Sequence, residues 1–199
     1  MGRAKASLSL DGTDTFLTRI VRTFHDAGID DVIVVVGHEA DTVARAFAPS
    51  GLPARFVVNA NYDRGQLSSL LAGLGVIDRP GVTAALVTLV DVPLVAASTV
   101  RAVVDRYRTS HAPVVRPTSG TRHGHPLLID RSLFDELRRA DPAEGSKPVV
   151  RAHASAAGDL EIADEGAFTD IDTEEDYRRW VSRSSGGADG VAGRRPSIE

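Results

Sequence analysis

Between Thr13 and Ala27, apolar residues recur at spacings of three and four, so that Phe16, Leu17, Ile20, Val21 and Phe24 line one helical face. Gly28 follows as a C-terminal stop, and the segment is predicted to be a helix. The next run, Asp31-Val32-Ile33-Val34-Val35-Val36-Gly37, is β-branched without polar alternation, which predicts a strand buried on both faces, as in a parallel sheet. The rhythm then repeats: a helix near Ala40 to Ala48, a strand near Ala54 to Val58, a helix near Gln66 to Leu74 and a strand from Ala84 to Val90. Strands that alternate with helices call for right-handed crossovers and for helices on both faces of the sheet.

After a helix near Ser98 to Arg108 the alternation loosens, with strands predicted near Pro113 to Arg116, Pro126 to Ile129, Leu160 to Ile162 and Phe168 to Ile171. The second half therefore reads as α+β. A last helix is expected from Thr173, where Thr173 and Asp176 have capping-box spacing and Tyr177, Trp180 and Val181 supply an apolar stripe. From Ser182 the run SRSSGGADGVAGRRPSIE has too little to bury, so residues 182–199 are expected to form a disordered tail behind one domain at 1–181.

Composition narrows the function classes. At 199 residues, with 42% hydrophobic and 25% charged residues, the chain suits one globular domain. A net charge of -4 offers no basic face for a polyanion, so no nucleic-acid partner is expected. No cysteine is present, which removes disulfides, thiolate metal sites and a cysteine nucleophile. Neither a membrane-length apolar stretch nor a signal-peptide layout occurs, so no membrane partner and a cytoplasmic location are expected.

Five segments carry candidate chemistry. Leu89-Val90-Asp91-Val92-Pro93 puts a carboxylate at the end of a predicted buried strand, where α/β sheets bind ligands and where Mg²⁺ would find an oxygen donor; a cap on the following turn is the alternative. In Thr169-Asp170-Ile171-Asp172-Thr173 two carboxylates stand two residues apart, a second candidate metal arm or the start of a helix cap. Met1-Gly2-Arg3-Ala4-Lys5 joins a glycine to two cations, as in a phosphate-holding loop or a solvated tail. Asp63-Arg64-Gly65-Gln66-Leu67-Ser68-Ser69 offers glycine and hydroxyls at a helix start, suited to nucleotide oxygens or to simple capping. Arg122-His123-Gly124-His125-Pro126 crowds a cation and two imidazoles before a strand, a weak zinc candidate because no Cys and no third close ligand accompany the histidines.

The order of these segments is more specific than any one of them. The series MGRAK, DRGQLSSLLAGL, LVTLVDVP, GTRHGHPLLI and FTDIDTEEDY resembles the molybdenum-cofactor nucleotidyltransferase family, closest to its molybdopterin cytidylyltransferase-like branch, from Met1 to about Tyr177. The resemblance implies an α/β, Rossmann-like nucleotidyltransferase fold with a mostly parallel central sheet and helices on both faces. It implies Mg²⁺-dependent attack by an acceptor phosphate on the α-phosphorus of CTP or GTP, with pyrophosphate leaving and no protein nucleophile. By motif position Lys5 and Asp91 are catalytic; Gly2, Arg3, Lys5, Gly65, Ser68 and Ser69 bind nucleotide; Asp91 with Asp170 and Asp172 holds the metal; and Gly124, His125 and Pro126 line the acceptor side. The acceptor would be molybdopterin or another phosphorylated small molecule, and a molybdoenzyme or a second copy of the chain would be the protein partner.

Departures accompany the match. Family members lead with a buried strand and an LAAGxSxR loop before the MGxxK portion, so the chain is read as lacking that strand and most of the loop, with an internal Met taken as the start. Ala4 replaces the usual Pro, and GSKPVVR stands where a GDxGAR-like segment is expected. Two rival readings follow: a catalytically impaired relative that binds nucleotide or cofactor as a partner protein, and a Rossmann dehydrogenase or methyltransferase. The second requires a GxGxxG motif, and none occurs.

Overall fold

A computed structural model of the chain describes residues 5–10, 14–173 and 175–178. Gly2 and Arg3, the apolar positions Trp180 and Val181, and the expected tail lie outside the described residues. Helix α1 (Phe16–Asp26) starts where Thr15 and Thr18 cap each other reciprocally, and it ends ahead of Gly28 at φ +85°. Strand β1 (Ile33–Val36), helix α2 (Ala40–Phe47) and strand β2 (Arg55–Val58) form a crossover unit, with β1 and β2 parallel and Ile33 opposite Arg55. Helix α3 (Gln66–Ile77), strand β3 (Ala84–Val87) and helix α4 (Ala97–Ser110) continue the predicted alternation.

Strand β3 stops at Val87 and does not run to Val90. Its antiparallel partner β6 (Leu127–Asp130) supplies residues only from Leu127 onward, and the residue before it is Pro126, which has no N–H to offer a longer ladder. Strand β4 (Val114–Ser119) pairs antiparallel with β5 (Arg122–His123) and β6, and parallel with β7 (Asp159–Glu161). Helices α5 (Phe134–Arg139) and α6 (Lys147–His153) and the short strand β5 were not expected from the periodicity. The strand predicted near Phe168 to Ile171 is instead a 3₁₀ turn at Glu165–Phe168 followed by chain outside any ladder. Alternation still operates there, since Ile171 is buried while Asp170 and Asp172 are exposed.

Neighbouring residues on β4 and β6 face opposite layers. Val114 and Ile129 join Leu74, Phe134, Leu137 and Val149, so α3, α5 and α6 cover one face. Val115 and Leu128 join Val103, so α4 covers the other, and α1 packs beside it through Phe24 against Val100. Among the described residues, β1 pairs with β2 alone and no ladder joins it to β3; the strands form one two-stranded and one five-stranded sheet. Side chains bridge the two: Val32 packs against the apolar clusters of both, and α1 gives Leu17 and Val21 to one and Phe24 to the other. No helix among the described residues is long and apolar enough to cross a membrane.

Candidate active site

The N-terminal segment reaches the sheet through an apolar clamp. Leu10, Phe16 and Ile171 are buried together with Leu8, Val90, Leu94 and Tyr177 around them, and Tyr177 Oη donates to the Ser9 carbonyl at 2.6 Å. Phe16 N–H closes the segment onto Leu8 O at 3.0 Å. That clamp sets Lys5 beside the loop that follows β3. Lys5 Nζ lies 2.6 Å from Asp172 Oδ1 and 3.9 Å from Asp91 Oδ2.

The two carboxylates meet because their backbones are tied. Ile171 N–H donates to Asp91 O at 2.7 Å, and Ile171 is anchored in the core, so Asp172 is carried to the carboxyl end of β3. Asp91 Oδ1 is buried and accepts no hydrogen bond. Burial pushes Asp91 above the ordinary carboxylate range, the Lys5 ammonium opposes the rise, and the charges of Asp172 and Asp170 add to it. An acceptor oxygen without a donor and a second carboxylate nearby make a donor set that a hard divalent cation fits. Among the described residues no three His, Asp or Glu side chains gather closely enough to hold a metal; Lys5 joins Asp91 to Asp172, and Asp170 acts on Asp91 through its charge. Such a pair leaves most of the coordination sphere to water and phosphate, as Mg²⁺ commonly requires.

The hydroxyl segment is organised separately. Gly65 takes φ +92°, a conformation that suits glycine, at the start of α3. Asn59, buried at the end of β2, donates from Nδ2 to Ser68 Oγ at 2.8 Å and Ser69 Oγ at 3.0 Å, while its Oδ1 accepts from Asn61 N–H at 2.9 Å. Ser68 Oγ in turn is 2.8 Å from the carbonyls of Asn61 and Gly65. Ser69 donates to no acceptor among the described residues, which leaves its O–H available to a ligand. Beside Ser68 opens a cavity of about 480 Å³, bordered by Asn59, Asn61, Arg64, Leu67 and Arg138, within the roughly 300–1,000 Å³ usual for small-molecule sites.

The Gly124-His125-Pro126 segment is stitched to the chain that leads to Asp170. Gly124 N–H donates to Pro117 O and His125 N–H to Ala167 O, at 2.9 and 2.8 Å. A Cβ at Gly124 would stand 2.5 Å from Ala167 O, so only glycine fits. His125 Nδ1 lies 3.3 Å from Val87 O, and Arg122 pairs with Glu165 while its guanidinium covers the Phe168 ring. Of the sequence-predicted residues, Lys5, Asp91 and Asp172 meet in one cationic and carboxylate centre, the acceptor-side segment is tied to it through 165–171, and Gly65, Ser68 and Ser69 belong to the separate Asn59 network.

Residues 1–157 match the model of the MobA-like NTP transferase domain. The chain belongs to that family. A bifunctional IPC transferase and DIPP synthase of Rubrobacter xylanophilus is 30% identical to this MobA-like chain over 205 residues, covering 89% of the chain and 47% of that protein. The chain therefore spans about half the length of this curated relative. Rv0371c of Mycobacterium tuberculosis H37Rv, crystallised in complex with manganese, is 27% identical with a TM-score of 0.71, over 91% of this chain and 93% of that one. The molybdopterin-guanine dinucleotide biosynthesis protein A of Archaeoglobus fulgidus shares the fold at 16% identity and a TM-score of 0.64, over 93% and 92%. The Rossmann-like nucleotidyltransferase fold expected from the sequence is the fold of this MobA-like chain.

Two residues that brace the elements around this candidate site were not singled out from the sequence. Asn59 closes a Val-rich strand, and its terminal polar position was the available signal. Asp164 accepts from Ala96 N–H at 2.9 Å and Thr99 Oγ1 at 2.6 Å, 68 and 65 residues away, and local pattern carries no sign of that contact.

Proposed function

We propose that this chain transfers a nucleotidyl group from CTP or GTP to a phosphorylated small molecule, molybdopterin among the candidates, with release of pyrophosphate. The observation that carries the reading is the meeting of Lys5, Asp91 and Asp172 at the carboxyl end of β3. Asp91 and Asp172 would hold a divalent cation, Mg²⁺ or Mn²⁺, with Asp170 adding negative charge beside them. That cation would supply positive charge against the triphosphate and the departing pyrophosphate.

The chain's own residues do the positioning. Lys5, with Gly2 and Arg3 of the same segment, neutralises and orients the phosphates. Ser69 donates from a hydroxyl fixed by Asn59, Ser68 borders the adjacent cavity, and Gly65 lets the backbone approach the nucleoside. Gly124, His125 and Pro126 line the acceptor side, where the tie of His125 N–H to Ala167 O holds the segment still. Attack by an acceptor phosphate oxygen on the α-phosphorus forms the new phosphoanhydride link as the bond from that phosphorus to the oxygen bridging it to the β-phosphorus breaks, and pyrophosphate leaves; no side chain is nucleotidylated.

The test is pyrophosphate release in CTP or GTP with Mg²⁺ or Mn²⁺ and a panel of phosphorylated acceptors that includes molybdopterin. We expect acceptor-dependent release, reduced on the order of a hundredfold or more in Asp91→Asn, with circular dichroism unchanged. Release that Asp91→Asn leaves at full rate would remove Asp91 from the chemistry. No release with any nucleotide and acceptor would leave the chain as a binding protein.

A further inference from the structure

Lys5 has two tasks to choose between. Its ammonium sits against both carboxylates that the proposed cation would use, 2.6 Å from Asp172 and 3.9 Å from Asp91, and the same cation cannot contact a triphosphate from there without leaving them. The Lys5 side chain is 30% exposed and that of Asp172 60%, so water reaches and screens the Lys5–Asp172 contact. Exposed pairs of this kind hold weakly and break readily. The deeper carboxylate is the one Lys5 only approaches: Asp91 Oδ1 stays without a donor.

We propose that Lys5 and the divalent cation compete for the same two carboxylates: the ammonium that lies against Asp91 and Asp172 is expelled toward the phosphates when the metal enters. The proposal rests on the nucleotidyl-transfer reading for the presence of the cation, and it adds an order of events to it. An ammonium cannot share the space between two carboxylates with a doubly charged ion, because the like charges repel over a few ångström. Metal binding and release of Lys5 are therefore one exchange. The cost of displacing Lys5 weakens metal affinity while no nucleotide is present, and phosphates recover it by giving the freed ammonium a new partner, so metal and nucleotide bind cooperatively. Nζ can make this exchange because the backbone of Lys5 is held by the 3₁₀ turn Lys5–Ser7 and by Leu8 N–H on Lys5 O, leaving only the side chain to swing.

The experiment titrates Mn²⁺ into nucleotide-free protein and follows the free ion by electron paramagnetic resonance, in the wild type and in Lys5→Met, Lys5→Arg and Asp91→Asn. Exchange predicts that Lys5→Met, which keeps the length and loses the charge, binds Mn²⁺ tighter, by roughly two- to fivefold. Lys5→Arg keeps the charge and should stay near the wild type, while Asp91→Asn should bind more weakly than either. A Lys5 that merely braces the two segments predicts the opposite sign, since its loss would loosen the site; equal or weaker binding by Lys5→Met overturns the proposal. Absence of Asp91-dependent Mn²⁺ binding in every variant would overturn it together with the metal arm of the functional reading. Tighter binding by Lys5→Met without nucleotidyl transfer by the wild type would leave the exchange standing and remove the transferase reading alone.

Discussion

Asp14 shows how one residue ties the site to the fold. It is buried at 6% exposure, and it receives Arg22 Nη2 at 2.9 Å, Arg19 Nε at 3.2 Å and Thr18 Oγ1 at 3.2 Å, while its carbonyl accepts Leu10 N–H at 2.6 Å. The segment that presents Lys5 is thereby fastened to α1. Burial pushes its carboxyl pKa up, but the hydrogen bonds from Arg22 and Arg19 outweigh burial and hold it below the usual value. The folded state thus binds this proton less readily than the unfolded chain. Its contribution is present above the unfolded pKa and is lost as pH falls through the lowered folded value. Asp14→Asn should cost about 1–3 kcal/mol near neutrality, since it unpairs charged donors at a buried position. Thermal melts from neutral to acid pH check this: the wild type should lose its lead over the variant below about pH 4, where unfolded carboxylates take up protons. Parallel melting curves across that range would show that the Asp14 charge does not contribute.

At the scale of elements, α4 depends on a residue remote in sequence. Its own N-cap position is Ala96, which cannot cap, and Asp164 supplies the missing acceptor to Ala96 N–H and Thr99 Oγ1. The same carboxylate takes Gly166 N–H at 3.0 Å, and a Cβ at Gly166 would lie 2.1 Å from Leu94 O, so the 164–168 turn presses on the loop after Asp91. Asp164→Ala should lower stability by about 1–2 kcal/mol by removing a cap. It should also weaken Mn²⁺ binding with Asp91 and Asp172 both intact, because the two arms lose their brace; wild-type metal affinity in a destabilised variant would confine Asp164 to capping. Contacts of this range explain what the sequence withheld. Elements α1 to α4 and β1 to β3 were legible because each carries its own period or β-branched run; the local patterns around Asp91 and Asp172 suited a cap as well as a metal, and the order of the segments, through the family resemblance, is what pointed to the metal. Asn59 and Asp164 act across distance, α5 spans six residues, and α6 opens on Lys147-Pro148, which read as loop chemistry.

For the molecule as a whole, the division of its strands into two sheets sets where it opens most easily. Strand β4 is held from both edges, with Thr118 opposite both His123 and Glu161, and Val114 and Val115 on β6. Its neighbours bury Val115 and Leu137 completely. Strand β1 instead has β2 as its one ladder partner among the described residues, and beyond it Val58 is 64% exposed. The β1–β2 unit is linked to the larger sheet by Val32, by α1 and by the approach of Val35 to Gly73 on α3, contacts that resist separation through apolar packing and not through a shared ladder. Packing of this kind can loosen locally, whereas breaking β4 dismantles both layers. We therefore expect backbone amides of Val114–Ser119 to exchange with deuterium roughly tenfold or more slowly than those of Ile33–Val36. An apolar strand with an unpaired edge is also a template for further pairing, so any protection gained by β1 should rise with protein concentration. Native-state exchange followed by mass spectrometry at two concentrations reads both effects. Slow exchange in β1 that equals β4 and ignores concentration would show that its free edge is covered within a single molecule, and that the two sheets behave as one in solution.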